Sequence, residues 1–292
     1  MTAPVREPRR VVTEREGVRI AGLVWDGVAG GAEPTLLLLH PNGFCAGLFE
    51  PLVPLLPAEV RVAAVDLRGH GASGTPSERE GLAFEEMARD VWAFCDVVGA
   101  SDLRVLGQSL GGAVATLVDR ERPGAVERAL LAEAVLFPMA ESGPSGESRA
   151  SPMAEAARRR RRVFASREAV VEAYLGRGGL VGIGRESMEA YARWGFVDRE
   201  DGHVELACDP ETEASIFELT PTLAGNAAGW DHLPHMGART RLVAGRDTNI
   251  GVARFEAQAA HAGLELDVVD GGHFVIQEDL VRGAAMVRDH LL

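Results

Sequence analysis

The segment Leu103–Gly112, LRVLGQSLGG, holds the residue of this sequence best placed for nucleophilic chemistry. It contains a G-x-S-x-G pattern, with Ser109 two residues after one glycine and two residues before another. The apolar run LRVL predicts a buried strand, and the small apolar residues after the serine predict a helix. A serine on so tight a strand-to-helix turn exposes its hydroxyl, while the glycines let neighbouring backbone pass close by. The pattern therefore predicts a nucleophilic serine.

The best candidate for the base that such a serine needs is His273, near the carboxyl end of the sequence. It follows a strand-like run and two glycines in VVDGGHFVIQEDL, on a predicted loop before the last helix. In a parallel sheet this position lies at the carboxyl edge, where the turn around Ser109 also lies. Together the two residues predict a hydroxyl nucleophile activated by a general base. The helix after the serine points its N-terminus at the site, so the N–H of Leu110 is a predicted oxyanion donor.

The elements that must position these residues alternate between strand and helix. Short apolar runs, typical of strands covered on both faces, recur along the chain. They are Thr35–Leu39, Val60–Val65, Leu103–Leu106, Ala129–Ala132, Arg241–Ala244 and Leu264–Val269. Three helical stretches separate them, at Leu48–Leu56, Phe84–Val98 and Leu110–Arg120, and an antiparallel pair, Val11–Thr13 with Val18–Trp25, opens the chain. This order predicts an α/β fold with a mostly parallel, eight-stranded, doubly wound sheet.

An insertion of different composition interrupts this alternation after Pro138. Segments rich in Gly, Ser and Pro alternate there with short amphipathic helical patterns. These patterns are Met153–Phe164, Arg167–Leu175, Glu186–Trp194 and Glu211–Leu219. We therefore predict a core formed by residues 1–135 and 237–292, with a helical cap inserted over 136–236. The five arginines Arg158–Arg162 are interpreted as a solvated helix face, with an anion-recruiting patch as the alternative.

Four motifs of this chain resemble the α/β-hydrolase family over nearly its whole length apart from the insertion. They are LLLLHPNGF at 36–44, VDLRGHGAS at 65–73, GQSLGG at 107–112 and DGGHF at 270–274. The resemblance implies that fold, a Ser-His-acid triad, and an oxyanion hole shaped in part by His40 and the loop after it. His40 and His70 are interpreted as structural residues.

The acid that would orient His273 has two candidates. The family usually carries an aspartate three positions after the glycine that ends its seventh strand, and here Gly245 puts Thr248 at that position. Asp247 comes one residue early, and one residue changes the face at a strand end. Glu133 ends the apolar sixth strand in LLAEAVLFP, a segment that resembles haloalkane dehalogenases, in which a glutamate after the sixth strand is the acid. Because a buried carboxylate is costly unless it is paired, we favour Glu133 and keep Asp247 as the alternative.

The second oxyanion donor is expected from the loop that follows His40. Pro41 has no N–H, so a later residue of the loop must donate. Asn42 is the first choice, because the dehalogenases carry an asparagine two residues after this histidine, and Phe44 is the second. An Asn-Gly pair is also a common turn, so a purely structural role for Asn42 is the competing interpretation.

The nucleophile sets the predicted reaction. Haloalkane dehalogenases and the related epoxide hydrolases attack with an aspartate, whereas Ser109 implies attack on a carbonyl and an acyl-enzyme that water hydrolyses. We predict a cofactor-free serine hydrolase of small or medium-sized, largely apolar esters or lactones, with a pocket that includes Phe44, Phe137 and Trp194. Two alternatives are carbon–carbon bond hydrolysis of a diketone-like substrate, known in capped relatives with the same triad, and a non-catalytic ligand receptor.

Composition argues against several other classes of function. The formal net charge of −13 over 292 residues disfavours nucleic acid and anionic membranes as partners. The three cysteines show no metal or redox spacing, and so few suit a reducing cytoplasm. No signal-peptide pattern and no membrane-spanning apolar run is visible. We therefore expect a cytoplasmic enzyme without a metal, and the sequence leaves its oligomeric state open.

Overall fold

The computed structural model describes residues 6–27, 35–138 and 151–292. Eleven strands are found there: β1 (Arg9–Arg15), β2 (Val18–Trp25), β3 (Thr35–Leu39), β4 (Val62–Asp66), β5 (Leu103–Gln108), β6 (Val126–Ala132), β7 (Val163–Phe164), β8 (Phe196–Asp198), β9 (Val204–Leu206), β10 (Thr240–Gly245) and β11 (Glu265–Val269). Eight of them form one sheet in the order β1-β2-β4-β3-β5-β6-β10-β11. β2 is antiparallel to both neighbours, and β4, β3, β5, β6, β10 and β11 are parallel. The predicted fold class is confirmed.

Helices cover both faces of this sheet. The described α-helices are α1 (Phe84–Val98), α2 (Leu110–Glu121), α3 (Pro152–Arg158), α4 (Arg167–Tyr174), α5 (Arg185–Trp194), α6 (Pro210–Leu219), α7 (Ala228–Met236), α8 (Val252–Ala262), α9 (Val275–Glu278) and α10 (Leu280–Leu291). Alternate residues of β3 show the two layers: Leu37 packs in the core with α1 and α2, whereas Leu36 packs in the core with α10. Such alternation follows from the two-residue period of a strand.

One predicted helix of the core has a different form. The run Leu48–Leu56 lies in 3₁₀ turns over Ala46–Leu55 rather than in an α-helix. Pro51 and Pro54 lie inside this segment, and each lacks the N–H that an α-helical hydrogen bond requires. The segment still packs Ala46, Phe49, Leu52 and Val53 into the core beside the sheet.

The insertion between β6 and β10 contains a second sheet as well as helices. β7, β9 and β8 form an antiparallel, three-stranded sheet, which the prediction of a helical cap did not include. The predicted helix Met153–Phe164 ends at Arg158, because Val163 and Phe164 pair with β9 instead. Tertiary pairing has overridden the helical periodicity here. Residues 139–150, in the first part of the predicted cap, lie outside the described residues.

The last part of the predicted cap range packs with the core. α7 lies against α2 and α8, and its Gly229 approaches Thr116 so closely that a side chain at that position would collide with the threonine hydroxyl. Leu233 and Met236 of α7 belong to the same apolar core as α1 and α2. In the part of the chain that the structure describes, no helix combines the length and the apolar character needed to cross a bilayer.

Candidate active site

Ser109 lies at the junction between β5 and α2, at the carboxyl edge of the sheet. Its backbone has φ 55° and ψ −116°, a conformation that residues with a side chain rarely adopt. The turn is so tight that a side chain at Gly111 would collide with the carbonyl oxygen of Leu39, and one at Gly107 with that of Gly111. The glycines of the G-x-S-x-G pattern are therefore required by close backbone approach, as the pattern predicts.

Three side chains from three strand ends form one continuous hydrogen-bonded series. His273 Nε2 lies 3.0 Å from Ser109 Oγ, and His273 Nδ1 lies 2.9 Å from Glu133 Oε2. Ser109 is 7% exposed and Glu133 is fully buried. The arrangement has the geometry of a nucleophile, a base and an orienting acid.

Glu133 follows β6 directly and is held by the neighbouring strand end. Its backbone has φ 53°, in the left-handed region that residues with a side chain rarely adopt. Its Oε1 accepts the N–H of Gly245 at 2.7 Å, and its Oε2 accepts the hydroxyl of Thr248 at 2.6 Å. Asp247 is exposed to solvent, and its N–H binds the carbonyl of Gly271. Of the two candidate acids, the structure places Glu133 beside the imidazole.

The loop that carries His273 is fixed by a carboxylate that sequence reasoning missed. Glu278 accepts the N–H of Gly272 at 2.7 Å and the N–H of Phe274 at 3.2 Å, so it binds both neighbours of the histidine. Gln108, the residue before the nucleophile, donates its side-chain amide to the carbonyl of His273 at 3.3 Å. The only sequence signal for Glu278 is an acidic residue one helical turn after the candidate base.

Two backbone amides are positioned to serve as oxyanion donors. The N–H of Leu110, at the start of α2, has no acceptor among the described residues, and the same holds for the N–H of Asn42. The other amides of the predicted loop are engaged: Gly43 donates to His70 Nε2 at 3.0 Å, and Phe44 donates to the carbonyl of Pro41 at 3.2 Å. The geometry therefore favours Asn42 over Phe44 as the second donor.

His40 and His70 connect this loop to the loop after β4. The Nδ1–H of His40 donates to the carbonyl of Pro41 at 2.8 Å, and its Nε2 accepts the N–H of Leu67 at 3.0 Å. Burial lowers the pKa of His40 well below its usual value and lowers the pKa of His70 to about 4. Both rings are therefore neutral at physiological pH, and both act as fixed donors and acceptors for backbone groups.

Ser109 and His273 open into a cavity of about 430 Å³ between the core and the insertion. Most of its wall is apolar, with Phe44, Met153, Ala157, Leu180, Phe217 and Phe274 among the lining residues. A mostly apolar wall with a few converging polar groups is typical of small-molecule sites.

Comparisons with known proteins identify the family and the fold. A model of the alpha/beta hydrolase family matches residues 36–285. The chain belongs to the alpha/beta hydrolase family.

The magnesium-chelatase 30 kDa subunit of Rhodobacter capsulatus is 27% identical over 288 residues, covering 93% of this chain and 92% of that protein. A fluoroacetate dehalogenase from a Burkholderia species is 31% identical over 116 residues, covering 39% of this chain and 38% of that protein. The solved structure of E-2-(acetamidomethylene)succinate hydrolase has a TM-score of 0.79 at 17% identity, covering 97% of this chain and 99% of that one, and shows the shared fold.

Two of the three predicted pocket residues of this hydrolase lie elsewhere. Phe44 lines the cavity beside Ser109. Trp194 instead packs its ring on Gly47 and donates its indole N–H to Glu50 at 2.8 Å. Phe137 lies under the guanidinium of Arg254, 4.8 Å from its ring centroid, and does not line the cavity. Neither side chain reaches this cavity, because an aromatic residue in or near the insertion has its own packing partners, which sequence position does not reveal.

The arginine run of the hydrolase is not one solvated helix face. Arg158 ends α3 and pairs with Glu211 and Glu218 of α6, whereas Arg160 turns inward and lines the cavity. The Arg160 guanidinium pairs with the carboxylate of Glu213 and donates to the Tyr191 hydroxyl at 2.7 Å. Tyr191 in turn donates to the carbonyl of Gly43 at 2.9 Å, and burial raises its pKa. The insertion therefore touches the oxyanion loop through a buried ion pair and a tyrosine.

Proposed function

We propose that this protein is a serine hydrolase that cleaves carboxylic esters or lactones through an acyl-enzyme. The observation that carries the proposal is the unbroken series of hydrogen bonds from Ser109 through His273 to Glu133, at 3.0 Å and 2.9 Å. A serine hydroxyl is a weak nucleophile until a base accepts its proton. The series supplies that base and an acid that orients it.

Each group of the site has a role in this mechanism. Ser109 Oγ attacks the substrate carbonyl as its proton passes to His273 Nε2, and Glu133 stabilises the imidazolium through the Nδ1–H bond. The amides of Leu110 and Asn42 donate to the oxygen that becomes negative. His273 then returns its proton to the leaving alcohol, and the acyl-enzyme is hydrolysed by a water molecule that the same base activates.

The serine also argues against the reaction named for one of its relatives. A serine that displaced a halide from a saturated carbon would form an ether, which the site has no means to hydrolyse. A carboxylic ester, by contrast, passes through an acyl-enzyme that water reverses. The proposal is therefore acyl transfer to water rather than dehalogenation.

The cavity supports a small or medium-sized substrate. Its volume of about 430 Å³ and its aromatic and aliphatic wall suit a compact acyl group better than a polymer. The insertion that covers Ser109 limits access from the surface, which favours the same class of substrate.

A fluorophosphonate probe followed by turnover measurements tests the proposal. Intact-mass and peptide analysis should find one probe molecule on Ser109 of the wild-type protein and none on the Ser109→Ala variant. A panel of p-nitrophenyl esters and γ- and δ-lactones should then show turnover by the wild type alone. Absence of both labelling and turnover would falsify the proposal. Release of a ketone fragment from diketones, with no turnover of esters, would replace it with carbon–carbon bond hydrolysis.

A further inference from the structure

Two guanidinium groups line the cavity beside Ser109, and they differ in their partners. The Arg160 guanidinium has three protein partners. It pairs with the Glu213 carboxylate, donates to the Tyr191 hydroxyl at 2.7 Å, and lies over the Tyr174 ring with its Cζ 5.4 Å from the ring centroid. Its charge is balanced by the carboxylate, and its donors hold neighbouring protein groups. Arg160 is therefore a structural part of the wall and is not available to a substrate.

Arg177 has no such partner. Among the described residues, no carboxylate lies within ion-pair distance of its guanidinium and no acceptor binds it. An arginine carries five N–H donors in a planar fork and stays charged at all physiological pH values. The cavity wall therefore includes one solvent-exposed positive charge whose donors bind no described protein group.

The backbone around Arg177 presents this side chain on an open turn. Gly176 and Gly178 have φ values of 70° and 56°, and side chains at Gly176, Gly178 or Gly179 would meet nothing within 4 Å. Gly178 and Gly179 line the cavity together with the arginine. The three glycines of this turn carry no side chain that could cover the arginine.

The charge of the cavity contrasts with that of the whole chain. The protein has a formal net charge of −13, whereas the cavity wall has two arginines and one glutamate, Glu213, among its charged residues. Because Glu213 balances Arg160, the mostly apolar wall carries one positive charge, that of Arg177, with no carboxylate partner. A protein whose overall field repels anions gains selectivity for a particular anion only where such a charge is presented locally.

We propose that Arg177 binds a carboxylate of the substrate, at the end remote from the bond that Ser109 attacks. The substrate class is then an apolar acyl compound that ends in a carboxylate, such as the half-ester of a dicarboxylic acid. A guanidinium binds a carboxylate through two parallel N–H···O bonds, which fixes both position and orientation. The inference rests on the proposed function for the identity of the scissile bond.

Matched esters that differ only in the distal group test this inference. The pair is p-nitrophenyl hexanoate and mono-p-nitrophenyl adipate, which have acyl chains of equal length. We expect the wild type to prefer the adipate by about tenfold or more in kcat/KM, as charged hydrogen bonds imply. Arg177→Gln should bring the adipate-to-hexanoate ratio close to one, mainly through KM. Arg162→Gln, a change in an exposed arginine that pairs with Glu205 and Asp209 away from the cavity, should keep the wild-type ratio.

The outcomes separate this inference from the proposed function. Ser109-dependent turnover of both esters without preference for the adipate, or a preference that survives Arg177→Gln, overturns the inference and leaves the proposed function unaffected.

If neither ester is cleaved, the proposed function fails. Calorimetric titration of the same proteins with hexanoate then tests the inference without turnover. Hexanoate binding that weakens about tenfold in Arg177→Gln supports it, and equal binding overturns it. Tighter binding of hexyl sulfate or hexyl phosphate than of hexanoate overturns the choice of carboxylate.

Discussion

The hydroxyl of Thr248 donates to Glu133 Oε2 at 2.6 Å, and the same oxygen faces His273 Nδ1 at 2.9 Å. Thr248 occupies the position after β10 at which the family usually carries its acid. An aspartate there would bring a second carboxylate against the buried Glu133, and like charges at this distance repel strongly. A carboxylate at position 133 therefore requires an uncharged residue at position 248, and the threonine there also donates a hydrogen bond to it.

The first prediction separates the two candidate acids. Glu133→Gln should lower kcat by about ten-thousand-fold, because an amide allows the wrong imidazole tautomer and does not stabilise the imidazolium. Asp247→Asn, an equivalent change at an exposed position, should stay within about threefold of wild type. Steady-state kinetics on one ester, with circular dichroism as a check on folding, measure both. The assignment is wrong if the two losses are equal or reversed.

The second prediction concerns the nucleophile. Ser109→Ala should reduce kcat by about a million-fold, since removing the nucleophile of a triad leaves only binding and the oxyanion donors. The variant should retain its fold, because alanine removes one hydroxyl without adding volume. Residual activity within tenfold of wild type, in protein free of contaminating esterase, is incompatible with the proposed mechanism.

The third prediction concerns the bond between the insertion and the oxyanion loop. Tyr191→Phe deletes the hydroxyl that donates to Gly43 at 2.9 Å and leaves the adjacent Asn42 amide less firmly placed. Removal of a whole oxyanion donor lowers kcat by about a hundred- to a thousand-fold. We therefore expect a less firmly positioned Asn42 amide to lower kcat by about tenfold, with a smaller change in KM.

Tyr174→Phe is the matched comparison for this third prediction. Its hydroxyl also faces Arg160, at 3.5 Å, but Tyr174 lines the cavity and makes no contact with Gly43. Its removal should therefore act on KM more than on kcat. Equal losses of kcat in the two phenylalanine variants would show that the Gly43 contact has no positioning role.

The fourth prediction concerns stability against pH. Burial lowers the pKa of His70 to about 4 from the ordinary value of 6.5. Between these values the unfolded chain binds more protons than the folded one, so folding stability rises with pH and is lost as pH falls toward 4. His70→Gln, whose side-chain oxygen can accept the Gly43 N–H, removes this dependence. From pH 6.5 to 4 the wild type should lose up to about 3 kcal/mol relative to the variant.

Urea denaturation at a series of pH values, followed by tryptophan fluorescence, measures this difference. Burial also raises the pKa of Asp66 to about 6, which acts in the opposite direction because stability then falls as pH rises from about 4 to 6. Asp66 is present in both proteins, so its contribution cancels in the comparison. Parallel pH curves for wild type and variant would rule out a buried, neutral His70.

The residues of the core site could be predicted from sequence because their signals are local. The elbow around Ser109 and the loop of His273 each consist of a few adjacent residues after a strand, and strand ends meet at one edge of a parallel sheet. For the acid the local signal was weaker: a charge at the end of an apolar run favoured Glu133 but left Asp247 open, and only the structure shows which carboxylate lies beside His273. Such signals depend on backbone geometry, which a short stretch of sequence determines.

The chemistry of the insertion could not be predicted in the same way. Arg160 meets Tyr191 and Glu213 across 31 and 53 residues of sequence, so no local pattern marks the group. The arginine run indicated a helix face, yet the chain leaves the helix at Arg158 so that β7 can pair with β9. Non-local pairing decided which arginine reaches the cavity, and neither periodicity nor composition contains that information.

The backbone of Ser109, at φ 55° and ψ −116°, has a consequence for any attempt to make this protein more heat-resistant. A side chain in this region costs about 1–3 kcal/mol, which glycine does not incur. Selection for thermal tolerance alone would therefore enrich Ser109→Gly and yield a sturdier protein without its nucleophile. Laboratory evolution of this chain needs a selection for turnover at every round, because this stabilising change would also remove the proposed nucleophile.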